Sequence, residues 1–362
     1  MIIEPCELVD RLSSQCSSII LGIIATVMAA TQYIGSPIKC IPHAYYQSDK
    51  QYVDEYCFSA GSYFIPNGTL ENYNKNEYRV DYYYWVPLMF VLQALCFFAP
   101  SLVWKLFSGN CELKISELRT ISNESEKANY ILVGAMWKAK QIGKHLFMQL
   151  MFRYDSAKSK TMTTGKFMPM LFIATKLLYF LTILLQFWII KYFLKMKSVF
   201  WGYYAYSDQL NGRDWETTGL FPRVAMCEYG KRSENGVKLV FNLTVQCALT
   251  MNALFEKVYI CFWFWLAILG VLTLFSFFKS VYDFILGRFS HRYIGNFLID
   301  YNLYADESRF VYRFLNRDGI FVVSLIQKTA GNMFIKIMLK EMLELFQKHE
   351  EEERKKEDSL SS

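Results

Sequence analysis

The residues of this 362-residue chain best equipped for chemistry are its nine cysteines, and their spacing favours covalent bracing over catalysis. Cys40 and Cys57 share one polar stretch, and Cys227 and Cys247 share another. Cys96 and Cys261 lie inside long apolar runs, while Cys6, Cys16 and Cys111 stand apart from both polar stretches. Disulfides persist where the surroundings are oxidising, so an even pair in each polar stretch reads as two bridges. Three connectivities are open to four cysteines, and spacing does not choose among them. The plainer reading is a set of buried free thiols; the even count in each stretch favours bridging. Each bridge would close a long loop and stabilise the fold by ~2–4 kcal/mol. Other chemistry is poorly supplied. The four histidines (His43, His145, His291, His349) are scattered without metal-ligand spacing. No phosphate loop, nucleophile elbow or dinucleotide fingerprint is present. The sequence therefore predicts no enzyme, no cofactor, no metal site and no nucleic-acid partner.

The elements that must position the cysteines are set by hydropathy. A membrane-spanning helix needs roughly 20 mostly apolar residues, and four segments qualify: 16–34, 84–106, 171–194 and 258–281. The first follows a start rich in acids (Glu4, Glu7, Asp10, against Arg11), which suits a retained span better than a cleaved signal peptide. Lys176 lies near the start of the third span, where its long side chain is expected to snorkel to the interface. Basic residues mark the cytoplasmic side. Between spans two and three there are ten Lys and Arg against five acids, whereas 35–83 carries more acids than bases. The reading places both termini (1–15 and 282–362) and the 107–170 loop in the cytoplasm, and 35–83 and 195–257 outside. The four paired cysteines then share the oxidising compartment. The fold class is an all-α membrane protein. It is a four-transmembrane-helix bundle with disulfide-braced extracellular loops, some of them β, and a helical cytoplasmic domain. Residues 107–170 and 282–348 show helical periodicity, and the charge run 349–362 is expected to be a disordered tail.

Smaller features offer paired readings. Ser18, Gly22, Ala25 and Ala29 fall on one face of the first span. Small residues let helices approach closely in lipid, and the same stripe could border a water-filled pore. Pro87 is expected to kink the second span, either as a hinge or as a static bend. Tyr82 to Trp85 form an interfacial aromatic belt. Asn67 opens an N-glycosylation sequon on the outer side, where a glycan would obstruct contact by its bulk. Asn242 opens another, close to Cys247, and the sequon at Asn123 falls on the cytoplasmic side. Charge within the spans is limited to lysines toward their ends (Lys105, Lys176, Lys191 and Lys279), and neither internal repeats nor broken helices mark a transporter.

Several stretches together resemble the innexins, the invertebrate gap-junction proteins related to pannexins. These are QYIGSPIKC (Gln32 to Cys40), YYYWVP (Tyr82 to Pro87), DWETTGLFPRVAMCEY (Asp214 to Tyr229), VQCALTMNALFEKVYICFWFW (Val245 to Trp265) and DGIFVV (Asp318 to Val323). They occur in order over nearly the whole chain. The resemblance implies a large-pore channel or hemichannel passing ions and small molecules, sited in the plasma membrane at gap junctions. It implies a homo- or hetero-oligomer, with eight subunits expected, that docks to a hemichannel of a neighbouring cell amid membrane lipids. It also implies the pairing Cys40–Cys247 and Cys57–Cys227. In such a ring the first span and first outer loop lie nearest the axis, so Lys39 would act on permeant charge. Three departures stand out. Tyr84 replaces a glutamine of the family pattern, Ile41 replaces a tryptophan, and only nine residues precede Asp10, too few for a long pore-lining segment. A four-span scaffold or adhesion protein is the alternative, since it too would need a braced outer cap.

Overall fold

The structure is a computed structural model that describes residues 8–42, 50–65, 79–109, 132–158, 166–213, 219–232, 239–286, 294 and 310–361. Among these, four helices are long and apolar enough to cross a membrane: Leu8–Ile34, Tyr83–Ser108, Phe167–Phe193 and Asn252–Ile285. Helices are the expected answer, because each satisfies its own backbone polar groups where lipid offers no partner. They are named here α1 (Leu8–Ile34), α3 (Val86–Gly109, entered through the 3₁₀ turn Tyr83–Trp85), α5 (Phe167–Phe193) and α7 (Asn252–Ile285). The first is not uniform, since Leu12–Cys16 is wound as a π-helix.

The chain divides into two compact units. One comprises Arg11–Phe98 and Leu181–Leu272. Its polar segments form α2 (Lys50–Ala60), α6 (Trp201–Leu210) and five strands: β1 (Lys39–Ile41), β2 (Ser62–Tyr63), β3 (Arg79–Val80), β4 (Val224–Arg232) and β5 (Leu239–Ala248). The sheet order is β1-β5-β4-β2-β3, with every pairing antiparallel. The two strands of the second polar segment thus lie between strands of the first in one sheet. Beneath it, aromatic rings fill the core: Phe90 stacks on Tyr259 at 5.1 Å, and Tyr259 stacks on Phe221 at 6.1 Å. Each ring adds a large buried apolar area. Helix α5 ends in a reversal in which Met196 N–H reaches Lys191 O and Lys195 N–H reaches Tyr192 O. Lys195 takes the left-handed conformation (φ 53°) that this ending usually reserves for glycine. Its ammonium lies 3.0 Å from Asp81, which ties the reversal to the strand region.

The other unit comprises Met1–Asp10, Ala99–Phe180 and Thr273–Ser362. Here α4 (Leu132–Lys158) packs on α8 (Asn316–Ser361), which a π-wound turn at Phe310–Leu315 precedes. Ile142, Leu146 and Leu150 of α4 meet the buried face of α8 formed by Phe321, Met338, Leu339 and Met342. Gly143 permits the close approach, because a Cβ there would stand 3.0 Å from the Met338 carbonyl oxygen. Glu341 of α8 lies 3.4 Å from Lys140 and 3.7 Å from Lys144. Helix α8 is interrupted at Gly331 (φ 82°) and continues to Ser361. The charge run 349–362, expected from composition to be disordered, is helical over its described residues, as far as Ser361. Acidic and basic residues one turn apart, such as Glu350 and Arg354 at 3.7 Å, favour the helix.

Candidate functional site

Two disulfides join the polar segments. Cys40 of β1 bonds to Cys247, its direct partner across the strand pair in β5, and Cys57 of α2 bonds to Cys227 of β4. All four cysteines are buried at 1% exposure or less. The sulfurs of Cys40, Cys57 and Cys247 lie within 4.8 Å of one another, so the two bridges are neighbours. Both sulfur pairs are spent in these bonds, which leaves no thiolate there for a metal. Cys16, Cys96 and Cys261 are free. Asp54 of α2 accepts a hydrogen bond from the Cys40 N–H at 2.7 Å, which fixes the first strand against its helix. Further along, the Tyr63 hydroxyl donates to Glu228 of β4 at 3.0 Å. Partial burial first, and then the adjacent carboxylate, push the Tyr63 hydroxyl up to about 12. The phenol therefore keeps its proton through the physiological range.

Two positions at which the chain departs from the family pattern lie here. Ile41 is 73% exposed, on the solvent side of β1. Tyr84 stands edge-on to Trp85 and to Phe58 of α2, each at 5.4 Å, so it seats the second span against the cap.

The small-residue face of α1 is mixed. Ser18 donates to the Ala94 carbonyl of α3 at 3.0 Å, and Ala25 is buried. Gly22 and Ala29 are half-buried, and a Cβ added to Gly22 would meet nothing within 4 Å. The face that packs consists of Ser17, Leu21, Ala25, Met28 and Gln32, while Ile19, Ile23 and Val27 are exposed. Gln32 donates its amide to the Tyr83 carbonyl at the far end of the helix. Lys39 is exposed on β1. Asn67 and Asn123 lie outside the described residues, and Asn242 stands in β5 opposite Gly230.

Two sequence expectations are corrected. Lys176 does not snorkel. Its side chain is 3% exposed, and its ammonium lies 2.8 and 2.7 Å from the two carboxylate oxygens of Asp10, and 3.0 Å from the Ser276 hydroxyl. The ring of Phe172 covers it at 5.2 Å. An ammonium this far from water requires a buried counter-charge, and Asp10 supplies it because α1 begins at Leu8 rather than near residue 16. Pro87 does not kink the second span. It is the second residue of α3, in the first turn, where a missing N–H and a preset φ are tolerated. The proline inside the helix is Pro100, which removes the N–H that would otherwise reach Cys96.

Asp318, in the DGIFVV stretch, was not singled out as a site residue. It is buried, and its carboxylate accepts the Met168 N–H at 2.9 Å at the start of α5. An acid at the head of the apolar run Gly319 to Val323 was the available signal.

The innexin family model matches residues 7–346. Innexin-5 of Caenorhabditis elegans is 37% identical over 99% of this chain and 85% of its own length. Innexin unc-9 of the same organism is 30% identical over 90% of this chain and 88% of its own. Innexin-3, also from C. elegans, is 30% identical over 95% and 84%. With four apolar spans, and with one sheet stapled from two distant segments by two disulfides, this chain belongs to the innexins, the family of gap-junction channel proteins.

Proposed function

We propose that the chain is a subunit of a cyclic channel that passes ions and small molecules between cells. In this reading the stapled sheet faces outward as a docking cap, both termini face the cytoplasm, and the α4–α8 packing forms a cytoplasmic helical domain. The single observation that carries it is the pair of bridges between residues 170 and 207 apart in sequence. They make one rigid end-piece from two loops, and rigidity is what head-to-head contact between assemblies requires. The excess of Lys and Arg in 107–170 supports the orientation. Identical subunits around one axis close a ring with a central hole; eight subunits, alone or mixed with other innexins, is the proposed order. Ser18, Gly22, Ala25, Ala29 and Lys39 are the proposed pore-lining or packing positions. A glycan at Asn67 would favour undocked hemichannels by its bulk. Electron microscopy of the purified protein tests this. Rings with a central pore, docking in pairs through the sheet ends, are expected. Particles without a pore would favour a scaffold.

A further inference from the structure

Within the sheet-bearing unit, α1 and α7 part to leave a groove of about 360 Å³. That lies in the range of cavities that hold ligands, roughly 300–1,000 Å³. Its walls are Ile20, Leu21 and Ile24 from α1, with Val258 and Phe262 from α7. The two polar groups at its deep end are already engaged with each other. The Trp265 indole N–H donates to the Ser17 hydroxyl at 3.0 Å, and that hydroxyl donates to the Leu12 carbonyl at 2.8 Å. Nothing there calls for water or a polar ligand, and apolar cavities stay dry.

The other end is different in kind. Lys257 lines the groove and is exposed, with no ion pair or hydrogen bond to another described residue. The adjacent Glu256 is 3.8 Å from Arg223 instead. Lys257 sits five residues into α7, about 7.5 Å from its start at 1.5 Å per residue, within reach of a headgroup layer by snorkelling. From Lys257 to Trp265 the groove runs about 12 Å on the same rise. An apolar slot headed by an unneutralised ammonium matches one ligand chemistry, an acyl chain bearing an anionic headgroup.

We propose that this groove is a phospholipid site, with an acyl chain between α1 and α7 and the phosphate on Lys257. The site belongs to the single subunit and does not depend on whether the assembly conducts. It is tested by reconstituting the full chain with a phospholipid carrying a photoreactive acyl chain and mapping the labelled peptides by mass spectrometry. The label is expected to concentrate on residues 17–24 and 257–265. Ile20→Trp, which fills the slot, should abolish that concentration. Lys257→Gln should lower it roughly fivefold, the change equivalent to about 1 kcal/mol of charge attraction. The variant at Lys257 leaves the packed core untouched, so it reports even if Ile20→Trp misfolds. Even labelling over every lipid-facing helix surface, unchanged by Lys257→Gln, would overturn the proposal. So would cross-linking of the native Cys261 thiol to a neighbouring subunit, which would show that a second copy covers the groove.

Discussion

Replacing Lys176 by methionine keeps the length of the side chain and removes its charge. In the native chain the ammonium is held by both oxygens of Asp10 and by Ser276, at 2.7 to 3.0 Å, with 3% and 6% of the two charged side chains exposed. Lys176→Met leaves the Asp10 carboxylate among apolar helices with its cation gone. Breaking a buried pair in this way costs about 3–5 kcal/mol, whereas replacing both charges together is close to neutral. Lys176→Met should therefore lower the apparent melting temperature by about 6–10 °C, and adding Asp10→Asn should restore most of it. The assay is thermal unfolding of detergent-purified protein, followed by the loss of its monodisperse chromatography peak. Equal losses in the single and double variants would refute the reasoning, because the damage would then come from packing and not from an orphaned charge. An unchanged single variant would refute it as well.

Three further outcomes follow from particular contacts. A Cβ on Gly202 would overlap the Trp263 ring, which its own N–H pins to the Val199 carbonyl at 2.9 Å; Gly202→Ala should cost about 1–3 kcal/mol, read as a melting shift. Tyr63 binds its proton more tightly in the folded state, so the stability it contributes is complete below pH 10 and falls as the pH rises to 12. Tyr63→Phe should flatten that part of the stability profile relative to the parent. Replacing Cys57 and Cys227 together by serine should cost about 2–4 kcal/mol while the Cys40–Cys247 bridge holds, measured by melting under non-reducing conditions.

The four spans were legible because lipid imposes length and hydropathy on any crossing helix, and the cysteine-bearing segments stood out between them. What escaped depended on where a helix begins. With α1 started near residue 16, Asp10 counted as a solvated acid and Lys176 had no partner; extending the helix to Leu8 brings together two charges 166 residues apart. A lysine several residues inside a span was itself the signal that a counter-charge had to exist. Pro87 was misjudged for a related reason. The 3₁₀ turn Tyr83–Trp85 delays the α-helix to Val86, so Pro87 falls in a permissive first turn and Pro100 in the interior. The cap was legible as bridged and as partly β, but its strand bounds and order were not. Strands of two or three residues, such as β2, β3 and β1, carry too little alternation to read.

The central claim is that subunits of this chain form channels which join cells through the disulfide-braced cap. Junctional conductance between paired cells that express the chain tests it most directly. The account predicts current and small-dye transfer between the cells, lost when Cys40, Cys57, Cys227 and Cys247 are replaced by serine. Paired cells that carry the protein at their contacting membranes and pass neither current nor dye would contradict it.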